Sequence, residues 1–149
     1  KKESVDDEEA ITWALTCTNL LDKRYHDLNA LSGGERQRVW IAMALAQKSE
    51  ILCLDEPTTY LDLYYQLELL ELVKQLNSEY GLTIVMVLHD INQAIQYSDH
   101  VIVMKEGNIL AEGKPEDVIT TELMKDVYNV NVVFKHDEEI GYYLMPVSI

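Results

Sequence analysis

The sequence predicts an α/β protein with a parallel sheet, and three observations lead to that class. Two short runs, "ILCL" at 51–54 and "TIVMVL" at 83–88, are apolar throughout, which is typical of strands buried on both faces. Each run is followed by a segment with the apolar spacing of a helix. Strands that alternate with helices in this order form parallel sheets with right-handed crossovers.

The remaining elements follow from spacing and from turn residues. Four segments have helical spacing, and they cover residues 6–21, 33–47, 63–80 and 91–98. Gly81 is placed as the stop of the third helix, and Asp90 with Gln93 fits a cap for the fourth. "HVIVM" and "ILAEG" are expected to form a hairpin through the turn "KEGN". The tail from Pro115 is expected to hold one or two short helices and the strands "NVVFK" and "YYLMP".

Length and composition restrict the function. The 149 residues suffice for about one domain, and 26 acidic against 12 basic residues give a formal charge of −14. This charge repels nucleic-acid backbones and disfavours direct nucleic-acid binding. Cys17 and Cys53 lie in apolar sequence surroundings, so we interpret them as residues that pack in the core. Two such cysteines, without a disulfide framework, suit a protein of a reducing compartment. We find no bilayer-length apolar run and no signal-peptide core in the first ten residues, so we expect a cytosolic protein.

The turn "ALSGGERQRVW" at 30–40 places a serine and two glycines before an amphipathic run. Ser32 and Glu35 have the spacing of a helix capping box, which explains both residues. A cap does not explain Gly33 and Gly34, because consecutive glycines are tolerated mainly where backbone must come close to another group. A helix N-terminus attracts anions, so a phosphate is one candidate for that group, and an ordinary turn is the alternative.

Asp55 and Glu56 follow the first predicted strand, and His89 follows the second. Open α/β sheets bind ligands at the carboxyl ends of their strands, where these three residues are expected to lie. One carboxylate can hold Mg²⁺ while the other orients and deprotonates an attacking water, and His89 can contact the terminal phosphate or that water. Each residue alone is more typical of a structural role. Together, in this order behind a glycine-rich helix start, they favour phosphate chemistry.

Four motifs resemble those of the ATP-binding cassette family, in the order of that family and over nearly the whole chain. "LSGGERQR" resembles the signature motif, "ILCLDEP" the Walker B strand, "TTYLD" the D-loop, and "VLHD" the strand before the switch histidine. The resemblance implies a partial P-loop NTPase fold with a mainly parallel sheet and part of the helical subdomain. It divides the chain into the helical subdomain and signature helix at 1–48, the Walker B, D-loop and H-loop core at 49–114, and C-terminal helices and strands at 115–149.

The resemblance implies roles for the signature residues. Ser32, Gly33 and Gly34 would contact the γ-phosphate of an ATP bound by the opposite subunit, with Glu35 counted in the same nucleotide site. Glu35 stands where the most familiar wording of the motif has glutamine. Because either residue can complete a capping box, this departure changes little.

The resemblance also implies roles for the acidic residues and the histidine. Asp55 would serve Mg²⁺, Glu56 would be the general base, and His89 would be the catalytic switch. Asp62 would organise the interface between two ATP-binding subunits. ATP and Mg²⁺ are therefore the expected cofactors.

The family's phosphate loop, G-x-x-x-x-G-K-[ST], is missing from the 149 residues. Gly113-Lys114 is the only Gly-Lys pair in the sequence. Asn108 stands five residues before Gly113, where the pattern needs glycine, and Pro115 follows Lys114, where it needs serine or threonine. We therefore expect the C-terminal portion of a cassette, inactive alone and without its phosphate-loop strand. "TIVMVL" and "VIVM" are then expected to pair directly, or a tail segment or a second chain fills the vacancy between them.

The longer segments around these motifs are similar in sequence to the ATPase subunits of bacterial iron–siderophore importers. Importers of haem and cobalamin have close relatives with the same sequence features. This resemblance implies an ATPase dimer on the inner face of the cell membrane. Its partners are an integral-membrane permease, which the face formed by 6–21 and the signature helix would meet, and indirectly an extracellular or periplasmic binding protein. Two alternatives are a non-catalytic regulatory module that keeps the signature and a DNA-repair relative. The acidic charge speaks against the DNA-repair alternative.

Overall fold

The structure is a computed structural model that describes residues 5–149, and it contains two compact units. The first unit runs to Val87 and the second spans Leu88–Ile149. The helices are α1 Val5–Cys17, α2 Gly33–Leu45, α3 Leu63–Tyr80, α4 Ile91–Tyr97, α5 Pro115–Val118 and α6 Thr121–Tyr128. The strands are β1 Ile51–Asp55, β2 Thr83–Val87, β3 Val101–Lys105, β4 Asn108–Gly113, β5 Asn131–Asp137 and β6 Gly141–Ser148. Short 3₁₀ turns cover Leu21–Lys23 and Leu28–Ala30. The predicted α/β class is confirmed.

The first unit packs helices against one face of the β1–β2 pair. The two strands are parallel as predicted, with Ile51 opposite Thr83 and Asp55 opposite Val87. Both strands therefore end at the same edge. The core that joins this pair to α1, α2 and α3 contains Ala14, Cys17, Ile41, Ala42, Leu45, Leu52, Leu69, Leu72, Leu76 and Leu82.

The second face of β1–β2 is exposed, against the prediction of strands buried on both faces. Ile51, Val85 and Val87 are 55%, 53% and 49% exposed, and Cys53 beside them is exposed as well. Successive side chains of a strand point to opposite faces, so the helices that bury Leu52 leave its neighbours uncovered. Of the two cysteines, Cys17 packs in the core as predicted, and the same prediction for Cys53 is wrong.

Helix α1 ends at Cys17, earlier than the predicted end at residue 21. Asn19 has φ 54°, and the Leu20 N–H donates to the Leu15 carbonyl at 2.8 Å. Asparagine tolerates this left-handed conformation better than most residues, so it terminates a helix much as glycine does. The end of α3 matches the prediction, because Gly81 follows it with φ 67°.

The second unit consists of two antiparallel hairpins with short helices packed on them. Glu106 and Gly107, both with positive φ, form the turn between β3 and β4, as the turn "KEGN" predicts. The tail forms the two predicted helices, α5 and α6, and the two predicted strands, β5 and β6, which pair with each other as a hairpin. The buried core of this unit contains Val101, Val118, Ile119, Met124, Val132 and Leu144.

The described strands form three two-stranded sheets, and parallel pairing is confined to β1–β2. The predicted direct pairing of "TIVMVL" with "VIVM" is wrong, because β2 pairs with β1 and β3 pairs with β4. The tail strands do not fill a gap beside either of them, since β5 and β6 pair with each other. Each hairpin strand takes the partner nearest in sequence, which costs less loop-closure entropy than a distant one. Within residues 5–149, no helix combines the length and apolar character that a bilayer span requires.

Candidate functional site

The start of α2 is a complete capping box, as the sequence predicts. Ser32 is the N-cap, and its Oγ accepts a hydrogen bond from the Glu35 N–H at 3.2 Å. In return, the Ser32 N–H donates to Glu35 Oε2 at 2.8 Å. The box serves two backbone N–H groups, while those of Gly33 and Gly34 belong to the first helical turn, which offers them no acceptor. These two groups are the ones that an anion at the helix start would meet.

The two glycines of this turn are in different surroundings. A Cβ at Gly33 would meet nothing within 4 Å, so the helix start is open to solvent there. Gly34 is buried, and a Cβ there would lie 2.6 Å from Cδ1 of Tyr65 in α3. Gly34 is therefore required by the packing of α2 on α3, a reason that the sequence did not reveal. Only Gly33 leaves room for a ligand beside the helix start.

Glu35 is ion-paired as well as part of the cap. Its Oε1 lies 3.0 Å from Nζ of Lys23, a partner that sequence reasoning missed. The Ser32 N–H, followed by the hydrogen bonds from Lys23 and from the Ser32 hydroxyl, lowers the pKa of Glu35 to about 2. The hydrogen bond to Glu35 raises the pKa of Lys23 in turn. The negative charge of Glu35, which would repel a phosphate, is thereby balanced by a cation, and contact of Glu35 with a nucleotide stays a prediction.

A second ion pair holds α2 against α3. Nη1 of Arg38 donates to Oε1 of Glu68 at 2.8 Å, and the two side chains are only 15% and 32% exposed. Sequence reasoning missed this pair, because Arg38 and Glu68 are 30 residues apart and nothing in their local spacing relates them. Together with the Tyr65 ring over Gly34, the pair fixes the direction in which the start of α2 points.

Asp55 and Glu56, at the end of β1, have different backbone conformations. Asp55 is the last residue of the strand, whereas Glu56 has φ 48°, in the left-handed region that glutamate seldom adopts. Both residues are exposed, and Glu56 Oε2 accepts a hydrogen bond from the Thr59 hydroxyl at 3.4 Å. The backbone thus turns at Glu56, directly after the strand, and the separate tasks of the two carboxylates stay a prediction. Backbone strain of this kind concentrates at functional sites.

Asp62 stands at the N-cap position of α3, and its side chain makes no cap hydrogen bond. Its carbonyl accepts the first helical hydrogen bond, from the Gln66 N–H at 3.0 Å. The Asp62 side chain is exposed, and Tyr60 before it is fully exposed with φ 66°. The carboxylate of Asp62 is thus not used to begin its own helix.

His89 belongs to the second unit, two residues after the end of β2. It is exposed and directly precedes Asp90, whose Oδ1 accepts the Gln93 N–H at 3.0 Å and caps α4 as predicted. The other predicted site residues all lie in the first unit. The inclusion of His89 in a common site with them stays a prediction.

The Asp55 carboxylate at the end of β1 is an oxygen donor of the kind that Mg²⁺ prefers. Mg²⁺ commonly takes one or two carboxylates and completes its octahedron with waters and phosphate oxygens. Asp55 supplies one exposed carboxylate at the strand end. Across residues 5–149, no three His, Cys, Asp or Glu side chains are grouped so that they could hold a metal ion alone. Binding of Mg²⁺ at Asp55 stays a prediction.

The chain matches a protein family and named relatives. Residues 2–59 match the family described as ABC transporter. The petrobactin import ATP-binding protein FpuC of Bacillus anthracis is 53% identical over 135 residues, which cover 90% of this chain and 50% of that protein. The ferric enterobactin transport ATP-binding protein FepC of Escherichia coli is 46% identical over 136 residues, with 91% and 50% covered. The chain spans about half the length of the curated relatives it matches.

Solved structures give the same result for the fold. An inward-facing metal-chelate type ABC transporter matches with a TM-score of 0.88 and 26% identity, over 99% of this chain and 60% of that one. A dimeric ATP-binding cassette in a post-hydrolysis state, bound to ADP and Pi, matches with a TM-score of 0.61 and 36% identity. That match covers 77% of this chain and 50% of the other.

Because Gly34 packs against Tyr65 and Gly33 faces open space, alanine is expected to affect stability differently at the two positions. Gly34→Ala is expected to lower the free energy of unfolding by about 1–3 kcal/mol, because the added methyl overpacks against Tyr65. Gly33→Ala, the matched control, is expected to leave stability unchanged or raise it by up to about 1 kcal/mol, because its methyl meets open space. Urea unfolding followed by circular dichroism measures both values. Equal stabilities of the two variants would contradict this account of Gly34.

The ion pair of Glu35 predicts a pH dependence of stability. Because its pKa falls from 4.5 in the unfolded chain to about 2 in the folded one, its contribution is present above about pH 4.5 and is lost as the pH falls towards 2. An NMR titration of the side-chain carboxyl carbon should give a midpoint near 2. Lys23→Met should raise this midpoint, and Lys48→Met beyond the far end of α2 should not. A midpoint that Lys23→Met leaves unchanged would refute the role of Lys23.

Proposed function

Because the chain belongs to the ATP-binding cassette family of transporter ATPases, we propose that it is the C-terminal part of an ATP-binding subunit. The whole subunit couples ATP hydrolysis to the import of an iron–siderophore or a similar metal chelate. The relatives named for petrobactin import and ferric enterobactin transport support this substrate class. The observation that carries the ATPase proposal is the end of β1, where Asp55 is followed by Glu56 in a left-handed turn.

The exposed face of β1–β2 supports the proposal that the subunit is longer than these residues. Ile51, Val85 and Val87 are each about half exposed on adjacent strands of one sheet. Contiguous apolar surface of this kind normally contacts another part of a protein or a partner. The chain spans about half of each named relative, so the remaining half of the subunit is the proposed cover of this face.

The proposed chemistry gives the two carboxylates separate tasks. Glu56 accepts the proton of the attacking water, and its left-handed backbone, directly after the strand end at Asp55, supports a task separate from that of Asp55. Asp55 is the proposed ligand of Mg²⁺, which when bound neutralises phosphate charge. His89 is the proposed switch, which contacts the terminal phosphate or the water.

The start of α2 is the proposed contact to an ATP held by a second subunit. Ser32 offers its hydroxyl, and the N–H groups of Gly33 and Gly34 point out of the first helical turn. The open space beside Gly33 supports close approach of a phosphate. The dimeric cassette among the similar structures supports a second copy as the partner, with Asp62 at the interface between the copies.

The remaining partners follow from the importer proposal. The dimer works beneath an integral-membrane permease on the cytoplasmic face of the cell membrane, and a substrate-binding protein outside the membrane delivers the chelate. The face formed by α1 and the signature helix α2 is the proposed contact to the permease. The first turn of α1 carries Asp6, Asp7 and Glu8, all exposed, which supports an outward-facing start of this helix.

The 149-residue chain alone is expected to neither hydrolyse ATP nor bind it tightly, because its sequence contains no phosphate loop to hold the β- and γ-phosphates. Titration calorimetry with Mg²⁺ and ATP, beside a phosphate-release assay, measures both properties. The complete subunit serves as the positive control. Micromolar binding with measurable turnover by the chain alone would refute this part of the proposal.

In the complete subunit, Glu56→Gln is expected to lower kcat by at least about 100-fold, because the amide cannot accept the proton of the attacking water. ATP binding should be retained, since glutamine has the shape of glutamate. The matched control is Glu50→Gln, just before the opposite end of β1, which should turn over as the wild type does. Steady-state phosphate release and equilibrium nucleotide binding separate the two properties. Near wild-type turnover of Glu56→Gln would contradict the assignment of the base.

A further inference from the structure

The side chain of Asn92 makes two hydrogen bonds to one residue of the C-terminal hairpin. Its Nδ2 donates to the Leu144 carbonyl at 3.1 Å, and its Oδ1 accepts the Leu144 N–H at 2.8 Å. Leu144 is 5% exposed and lies opposite Phe134 in the β5–β6 ladder. Because its N–H and carbonyl both face Asn92, they point away from β5. The amide of Asn92 therefore occupies the outer edge of β6, as the backbone of a further strand would.

This contact fixes a helix whose cap lies next to His89. Asn92 is the second residue of α4, and the Asp90 side chain caps the same helix at 3.0 Å. The Asp90 carbonyl also accepts the Ala94 N–H at 3.0 Å. Only Asp90 and Ile91 separate His89 from Asn92 in the chain. The short capped segment 90–92 thus connects His89 to the outer edge of β6.

The apolar contacts of α4 cannot set its position as closely as the two hydrogen bonds of Asn92 do. Ile91, Ala94 and Ile95 pack against the core of the second unit, and apolar contacts of this kind have little directional preference. Two hydrogen bonds from one planar amide need both distance and angle to be right. They therefore set the rotation and the register of α4 on the hairpin.

We propose that Asn92 is a positioning residue for His89, and that the β5–β6 hairpin is consequently part of the catalytic switch. This inference rests on the proposed function, in which His89 acts on the terminal phosphate or the attacking water. The Asn92 amide is bonded to Leu144 and is assigned no contact with either of them. It acts through α4, because a change in the register of this helix moves the histidine at its start.

The test uses the complete subunit and measures kcat and KM for ATP. Asn92→Ala is expected to lower kcat by about 10- to 100-fold, the loss typical of a misplaced reacting group, with KM nearly unchanged. Gln96→Ala is the matched control, because Gln96 is an exposed amide on the same helix, and it should turn over as the wild type does. Wild-type kcat in Asn92→Ala would overturn the inference.

A double-mutant cycle separates positioning from general damage. If Asn92 acts through His89, Asn92→Ala should lower kcat in the wild type and have no further effect in a His89→Ala background. Multiplying losses in the double variant would overturn the inference. A His89→Ala variant with wild-type kcat would refute the proposed role of His89 and the inference together. A loss in His89→Ala with none in Asn92→Ala refutes only the inference.

A spectroscopic measurement on the 149-residue chain keeps the proposal testable without turnover. The ring resonance of His89, assigned by its disappearance in His89→Ala, should shift in Asn92→Ala and stay in place in Gln96→Ala. If Asn92→Ala does not fold, Asn92→Asp replaces it, because the carboxylate can still accept the Leu144 N–H but cannot donate to the carbonyl. An unshifted His89 resonance in the folded variant would overturn the inference.

Discussion

The parallel pairing of β1 with β2 is the constraint from which the rest of the first unit follows. Parallel strands need a crossover between them, and α3 supplies it while burying its leucines against the sheet. Because both strands then run in the same direction, their carboxyl ends share one edge. Asp55 lies at that edge because of this register, and Glu56 follows it. The position of the acidic pair is thus a consequence of sheet topology and needs no interaction between the two carboxylates.

The start of α2 is oriented by contacts with α3 and not by its own sequence alone. Gly34 admits the Tyr65 ring, and Arg38 pairs with Glu68. These two contacts attach the signature turn to the helix that crosses over from β1 to β2. A shift of α3 would therefore move both the end of the strand that carries Asp55 and the helix start that carries Ser32. This shared dependence keeps the two halves of the proposed nucleotide chemistry in a constant relation within the first unit.

The sequence was a good guide wherever local chemistry decides the structure. The capping box of Ser32 and Glu35, the glycine after α3, the cap of α4 and the β3–β4 hairpin depend on residues within a few positions of one another. The contacts of Gly34, Lys23 and Asn92 are with residues that lie far away in the chain, and no repeating pattern in the sequence relates the partners. An apolar run shows that a strand has hydrophobic neighbours, but not how many faces they cover. For this reason burial of Cys53 was predicted wrongly.

The short segment after β1 has the most unusual backbone around the proposed site, and its neighbours hold it in place. Glu56 and Tyr60 both have left-handed φ, each at a cost of roughly 1–3 kcal/mol that surrounding contacts must offset. Pro57 and Thr58, between these two residues, are buried. The Leu61 carbonyl accepts a hydrogen bond from Nε2 of Gln66 at 2.9 Å. The buried pair anchors the middle of the segment while the strained residues remain exposed on either side. The buried residues therefore hold the middle of the segment, and the exposed Glu56 also accepts a hydrogen bond from the Thr59 hydroxyl. A general base needs this arrangement, because its carboxylate must be both accessible to water and held in one place.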